Sequence, residues 1–165
     1  MPGPITLGPY GPLDHDGLVA LILPIQREEF GIPITLADQP DLDAIPAFYQ
    51  TGAGEFWVAR HEGQVVGSIA LKDLGAGLGA LRKMFVAAPY RGRDWGVARA
   101  LLVTLIDHAR AHGMTRLYLG TTDRFLAAHR FYEREGFQRV EPEQLPPVFP
   151  RLAVDTRFYT LALGA

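Results

Sequence analysis

The stretch Met84-Phe85-Val86-Ala87-Ala88-Pro89-Tyr90-Arg91-Gly92-Arg93-Asp94-Trp95-Gly96-Val97-Ala98 sets a basic, glycine-containing segment between an apolar run and an amphipathic one. The apolar run ends at Pro89, as a strand must where proline removes the ladder donor. The amphipathic run that follows predicts a helix. A strand-to-helix junction of this kind points backbone amides and the positive helix terminus at one spot, where phosphate is held with few side chains. Gly92 and Gly96 permit close backbone approach to an anion, and Arg91 and Arg93 add charge. The chemistry is retention of a phosphate or pyrophosphate; a plain helix start with solvated arginines is the other reading of the same residues.

Other chemistries are closed by composition. The 165 residues contain no cysteine, which removes disulfides, thiol nucleophiles, Cys-ligated zinc and iron–sulfur clusters. Ser68 is the only serine and sits in the apolar run Val65 to Leu71, a strand interior rather than a nucleophile elbow. Lys72 and Lys83 are the only lysines, and neither follows the glycine spacing of a P-loop. Arg82 and Lys83 read as alternating core-edge and solvent positions with no chemistry. His108 and His112 have a metal-ligand spacing on a helix, but no glutamate completes it and they read as exposed surface, so no metal is expected. His129 reads as a surface or packing residue. A net charge of −2 gives no basic field for nucleic acid or acidic membranes. No leader or long apolar run is visible, so one cytoplasmic domain over residues 1–165 is expected.

The elements that must position the basic segment follow from periodicity. Ile5 to Tyr10 reads as a strand, and Asp14 or Asp16 starts a helix through Leu18, Leu21, Ile22 and Ile25. Pro24 should kink or end that helix, leaving Gln26 to Phe30 as a separate turn. Asp41 to Thr51 carries Leu42, Ile45, Phe48 and Tyr49 at helical spacing, with Pro46 inside the pattern, and reads as an irregular second helix. Glu55 to Ala59, Val65 to Leu71 and Leu78 to Val86 form a three-strand meander. Ala98, Leu101, Leu102, Leu105, Ile106 and Ala109 share one helix face that Gly113 closes. A strand over Thr115 to Gly120 precedes a helix from about Asp123 to Glu135, and strands at Phe137 to Val140 and Arg157 to Leu163 finish the chain, joined by a proline-rich loop. The order is β-α-α-β-β-β-α-β-α-β-β, an α+β (mixed α/β) sheet flanked by helices. The apolar run Phe158 to Leu163 either closes the sheet or pairs across a homodimer. The loop from Glu141 to Pro150, with Phe149, Arg151, Asp155 and Arg157, is positioned to wall a site on the sheet.

On these residues the chain resembles the GNAT superfamily of acyl-CoA-dependent N-acetyltransferases. Arg93-Asp94-Trp95-Gly96-Val97-Ala98 fits that family's Gln/Arg-x-x-Gly-x-Gly/Ala pyrophosphate loop, with Arg91-Gly92 just before it. Tyr132-Glu133-Arg134-Glu135-Gly136-Phe137 fits its Tyr-x-x-x-Gly-Phe element, with Ala128 four residues ahead of the tyrosine. The two motifs and their element order cover roughly residues 55 to 140. Phe125 departs from the pattern, since many members have asparagine there, and Asp94 and Trp95 make the loop bulkier than usual.

The resemblance implies a GNAT-like fold, a mostly antiparallel twisted sheet with about seven strands and four helices. It implies acetyl-CoA as co-substrate, held by Met84, Phe85, Val86, the loop Arg91 to Ala98, and Ala128. The amides of Met84 to Val86 would meet the developing oxyanion, and Tyr132 would protonate the departing thiolate; the alternative for Tyr132 is a core aromatic sharing a face with Phe125 and Ala128. Glu28 and Glu29 border the acceptor side in this fold, as a proton acceptor or ammonium partner, or as solvated carboxylates. The implied function is acetyl transfer to a primary amine of a small molecule. Acetylation of a protein N-terminus or lysine, and a non-catalytic acyl-CoA-binding or sensing module, are the alternatives.

Overall fold

The structure is a computed structural model and describes residues 4–164. Met1, Pro2 and Gly3, on which the reading of the amino terminus rests, lie outside the described residues, as does Ala165. Seven strands form one sheet: β1 Thr6–Pro9, β2 Glu55–His61, β3 Gln64–Gly75, β4 Leu78–Val86, β5 Arg116–Thr121, β6 Gln138–Val140 and β7 Arg157–Ala162. Their spatial order is β1-β2-β3-β4-β5-β7-β6, and every neighbouring pair is antiparallel except β4 with β5. The helices are α1 His15–Pro24, α2 Ile45–Phe48, α3 Val97–Ala111 and α4 Leu126–Arg134. Among the described residues no helix is long and apolar enough to cross a membrane.

Strand alternation sends two sets of side chains to opposite faces of the sheet. On one face Leu71, Leu81, Leu117 and Leu119 pack beneath Leu101, Leu102 and Leu105 of α3. On the other, Phe56, Val58 and Ala70 meet Leu18 and Ile22 of α1 together with Leu42, Ile45 and Tyr49. α3 follows its amphipathic pattern and closes where Gly113 turns left-handed (φ +80°), with the Met114 amide bonded to the Ala109 carbonyl.

One sequence expectation needs correction. The helix over Asp41 to Thr51 is a 3-10 turn, Pro40–Asp43, followed by the four-residue α2, because Pro46 supplies no amide and helical bonding cannot run continuously through it. Of the two readings of the apolar run near the carboxyl terminus, β7 takes the first: it closes the sheet between β5 and β6, with both edges of Phe158, Tyr159 and Thr160 occupied within the chain. Pro24 acts as expected. α1 stops there and the chain continues as a wider π-turn, Ile25–Glu29, closed by the Phe30 amide on the Ile25 carbonyl at 3.1 Å.

Gly67 on β3 lets the start of α3 lie close to the sheet: a β-carbon there would stand 3.0 Å from Val97 Cγ1 and 3.1 Å from Leu101 Cδ1. Gly67→Val is therefore expected to destabilise the protein by about 1–3 kcal/mol, read as a lowered urea midpoint.

Candidate active site

β4 and β5 pair only through Leu78, Gly79 and Ala80 opposite Arg116, Leu117 and Tyr118, then diverge. Beyond that point the strands form two sides of a wedge. On the β4 side, alternate peptide groups between Leu81 and Val86 face a gap instead of a strand partner. β4 also carries a bulge: Ala70 opposes Arg82 and Ser68 opposes Phe85, so Lys83 and Met84 together span one residue of β3. Lys83 takes a positive φ of 51°, and its carbonyl accepts from Ser68 Oγ at 2.6 Å.

The bulge redistributes side chains. Leu81, Met84 and Val86 lie on the α3 face. Arg82 turns to the α1–α2 face, with its guanidinium carbon 5.6 Å from the centre of the Phe48 ring. Lys83, which strict alternation would send to the α3 face, instead reaches Gln39 and Asp41 on the α1–α2 face. A cavity of about 440 Å³ runs through the wedge and reaches residues of both faces.

On the α3 face the cavity is bordered by Arg91, Gly92, Ala98, Ala128 and Tyr132. Gly92 and Gly96 have φ of +105° and +65°, conformations that glycine adopts without strain. α3 begins at Gly96 with no side-chain cap, and the amides of Arg93, Asp94 and Trp95 have no acceptor among the described residues. With the first amides of α3, this makes a nest of free donors at a positive helix end. Arg91 folds back so that its Nε donates to the Val86 carbonyl at 2.8 Å, and its guanidinium pairs with Glu29. Arg93 and Asp94 are exposed, Trp95 packs on Tyr90 and His61, and Val97 is buried in the core. In that segment only Arg91, Gly92 and Ala98 reach the cavity wall.

Tyr132 is 5% exposed and borders the cavity, its hydroxyl 3.6 Å from Met84 Sδ. Burial pushes its phenol well above the ordinary tyrosine range, so it stays protonated and able to donate. Tyr132 is also a core aromatic, packed on Phe137 and Tyr159. Phe125 caps α4 and stacks edge-on against Phe30 at 4.6 Å, with Phe85 beyond it at 6.3 Å. Arg124 donates to the carbonyls of Phe30 and Gly31 at 3.0 and 2.7 Å, so the two sides of the wedge are tied across its mouth.

Glu28 and Glu29 are placed differently from expectation. Both are exposed and neither lines the cavity, because the π-turn faces Ile25, Gln26 and Phe30 inward and turns the two carboxylates out. His129 is buried: its Nε2 bonds the Thr122 carbonyl at 2.8 Å and Nδ1 faces an Arg157 Nη1 at 2.9 Å, which assigns the neutral tautomer with hydrogen on Nε2. His108 is half-buried rather than exposed; it lies against Trp57, stacks on His112 and bonds the Ala53 carbonyl.

The residues that sequence reasoning missed lie on the α1–α2 face. Arg82 and Lys83 line the cavity, where they meet Asp155, which the sequence did place in a wall of the site. Lys83 Nζ donates to Gln39 Oε1 at 2.5 Å and stands 3.6 Å from Asp41 Oδ2, which also accepts from Tyr49 Oη at 2.6 Å. Burial is the largest influence on Lys83 and brings its pKa down from 10.5 to about 8, against the pull of Asp41. Burial likewise raises the Asp155 carboxyl, although the Leu152 amide and nearby cations oppose it. A bulge is invisible to periodicity, which is why Arg82 and Lys83 read as featureless.

A family model described as "Acetyltransferase (GNAT) family" matches residues 20–137. A solved structure of an acetyltransferase of the GNAT family from Staphylococcus aureus Mu50 is 38% identical, covers 96% of this chain and 99% of its own, and superposes with a TM-score of 0.93. The N-acetylaspartate synthetase of Danio rerio is 39% identical over 102 residues, 61% of this chain; the match spans only 36% of that protein's length. N-acetylglutamate synthase from Neisseria gonorrhoeae, solved with coenzyme A and N-acetyl-glutamate, shares the fold at 19% identity and a TM-score of 0.74, over 100% of this chain and 36% of that one.

Lys83 yields a test of its environment. Below pH 8 its amine is charged whether the chain is folded or unfolded, and burying that charge costs stability. Between about 8 and the ordinary 10.5 the unfolded chain still holds a proton that the folded chain has released, so this residue's contribution to stability rises with pH. In urea unfolding, the stability of the wild type relative to Lys83→Met is expected to increase across that window.

Proposed function

The chain belongs to the acetyltransferase (GNAT) family, and we propose that it transfers the acetyl group of acetyl-CoA to a primary amine of a small molecule by direct attack in a ternary complex. The observation that carries this reading is the cavity through the β4–β5 wedge, which joins a nest of free amides on one face to a walled pocket on the other. A thioester is already activated, so the reaction needs a held cofactor, a stabilised oxyanion and a proton for sulfur rather than a covalent nucleophile.

The free amides of Arg93, Asp94 and Trp95, with those of the first turn of α3, are suited to the cofactor's pyrophosphate, with Gly92 leaving room at the loop. Glu29 serves in this reading as the group that holds Arg91 against β4. The wedge-facing amides among Met84, Phe85 and Val86 stabilise charge on the acetyl oxygen, and Ala128 keeps α4 clear of the cofactor arm. The amine lone pair attacks the carbonyl carbon, the carbon–nitrogen bond forms as the carbon–sulfur bond breaks, and the Tyr132 hydroxyl gives its proton to the leaving sulfur. Solvent takes the amine's excess protons and restores the phenol. The coenzyme A bound in the Neisseria N-acetylglutamate synthase supports this cofactor. Residues of both the 30–34 and the 149–155 segments wall the acceptor side, which supports a small acceptor over a peptide that needs an open groove. The names of the Danio and Neisseria proteins, both for acetylated amino acids, agree with that choice.

Acetyl-CoA at about 100 times its Kd is expected to stabilise the protein by about 2.7 kcal/mol in thermal unfolding, with ATP and NAD giving no comparable shift. Tyr132→Phe is expected to lower kcat about 100-fold or more while the Kd for CoA changes little. A larger shift with ATP or NAD than with CoA overturns the reading.

A further inference from the structure

The acceptor side of the cavity holds an unmatched pair of charges. Four charged side chains cluster there: Arg82 and Lys83 from β4, Asp41 from the 3-10 turn, and Asp155 from the loop before β7. Lys83 and Asp41 are matched to each other at 3.6 Å, and Tyr49 and Gln39 satisfy them further. Arg82 is half-buried between the cavity and the rings of Phe48 and Tyr49, and makes no hydrogen bond or ion pair among the described residues. Asp155 is buried and accepts one hydrogen bond, from the Leu152 amide to Oδ2 at 2.9 Å; its Oδ1 has no partner among the described residues.

Arg82 and Asp155 act on one another electrostatically yet form no ion pair. They stand on opposite sides of the wedge, one on β4 and the other against β5, where Gly120 makes room for it: a β-carbon at Gly120 would lie 2.8 Å from Asp155 Oδ2. A guanidinium withdrawn from bulk water and left without an anion is costly unless a ligand supplies one. The same holds in reverse for the open carboxylate oxygen. Apolar side chains of Ile25, Ile32, Ile34, Phe149, Leu152 and Val154 line the same cavity.

We propose that the acceptor is an amine that also carries a carboxylate on an apolar body, an apolar α-amino acid, with its carboxylate on Arg82 and its ammonium facing Asp155. This rests on the acetyl-transfer reading and narrows its acceptor. The guanidinium offers paired donors to a carboxylate, and the apolar wall receives the side chain. Asp155 accepts one proton from the ammonium, which leaves the nitrogen lone pair free to attack, and passes that proton to solvent. Polyamines and other carboxylate-free amines leave Arg82 unpaired, and a second cationic group on the acceptor meets Arg82 and Lys83 as like charges.

The test measures thiol release from acetyl-CoA, free of protein background because the chain has no cysteine, with the proteinogenic α-amino acids, leucinamide, isoamylamine, phenethylamine and spermidine. Leucine or phenylalanine is expected to exceed its decarboxylated amine in kcat/KM by about 10–100-fold. Arg82→Gln is expected to raise KM for the amino acid by a similar factor and to leave kcat/KM for the decarboxylated amine within about threefold, with Arg82→Lys recovering part of the loss. The acetyl-CoA thermal shift should be the same in the wild type and both variants, which separates acceptor binding from loss of fold. Equal or better turnover of the carboxylate-free amines, an equal fall for both acceptor types in Arg82→Gln, or no turnover of any amino acid overturns this inference while CoA binding stands. Failure to bind acetyl-CoA overturns the underlying reading instead.

Discussion

Everything distinctive in this protein follows from β4 and β5 keeping company for three residues and then parting. A parallel pair that ran its full length would satisfy its peptide groups and leave a closed sheet. Here the ladder stops early, and the exposed peptide edge of β4 becomes the floor of a cavity that passes from one face of the sheet to the other. The separation is stabilised from both sides. Tyr132 and its aromatic neighbours fill one flank, while Phe125 and Arg124 tie α4's entry to the Phe30–Gly31 turn across the mouth.

The bulge at Lys83 is the second half of the same device. By inserting an extra residue opposite β3, it brings Arg82 and Lys83 to one face and leaves Met84 on the other, against Tyr132. A regular strand would divide the two cations between faces. The consequence is a buried polar network of Lys83, Gln39, Gln26, Asp41 and Tyr49 under the α1–α2 half of the cavity. Such a network is costly if incomplete and rigid when satisfied, so it gives Arg82 and Asp155 a firm setting. The α3 half has no comparable network, because its free donors are backbone amides fixed by the loop and the first turn of α3.

The two halves also differ in how they use charge. On the loop before α3, the exposed Arg91 is held by Glu29 and by the Val86 carbonyl, so a positive group is fixed near the free amides. Arg93 and Asp94 remain in water. On the α1–α2 face, the charges are drawn from segments far apart in the chain, from the turn at residue 41 to the loop at 155, and meet only because the sheet order places β7 beside β5 and β5 beside β4.

Local pattern determined the parts of this protein whose physics is local. The glycine-containing loop before α3, the face of α3, the Gly113 stop, the seven strands and the end of α1 at Pro24 could all be read from residue type and spacing, because each depends on neighbours within a turn or two of chain. The motif around Tyr132 to Phe137 was legible in the same way. Asp41 to Thr51 misled, since helical spacing survived in a segment whose proline forbids a continuous helix. Glu28 and Glu29 were drawn toward the acceptor by their place in the chain, and the π-turn directs them outward. Arg82 and Lys83 carried no local signal at all, and Asp155 was legible only by its place in a loop expected to wall the site. A bulge is set by pairing with another strand, and a charge becomes unmatched only when tertiary packing decides which partners it keeps; those choices are made between segments distant in sequence, and the folded sheet alone settles them.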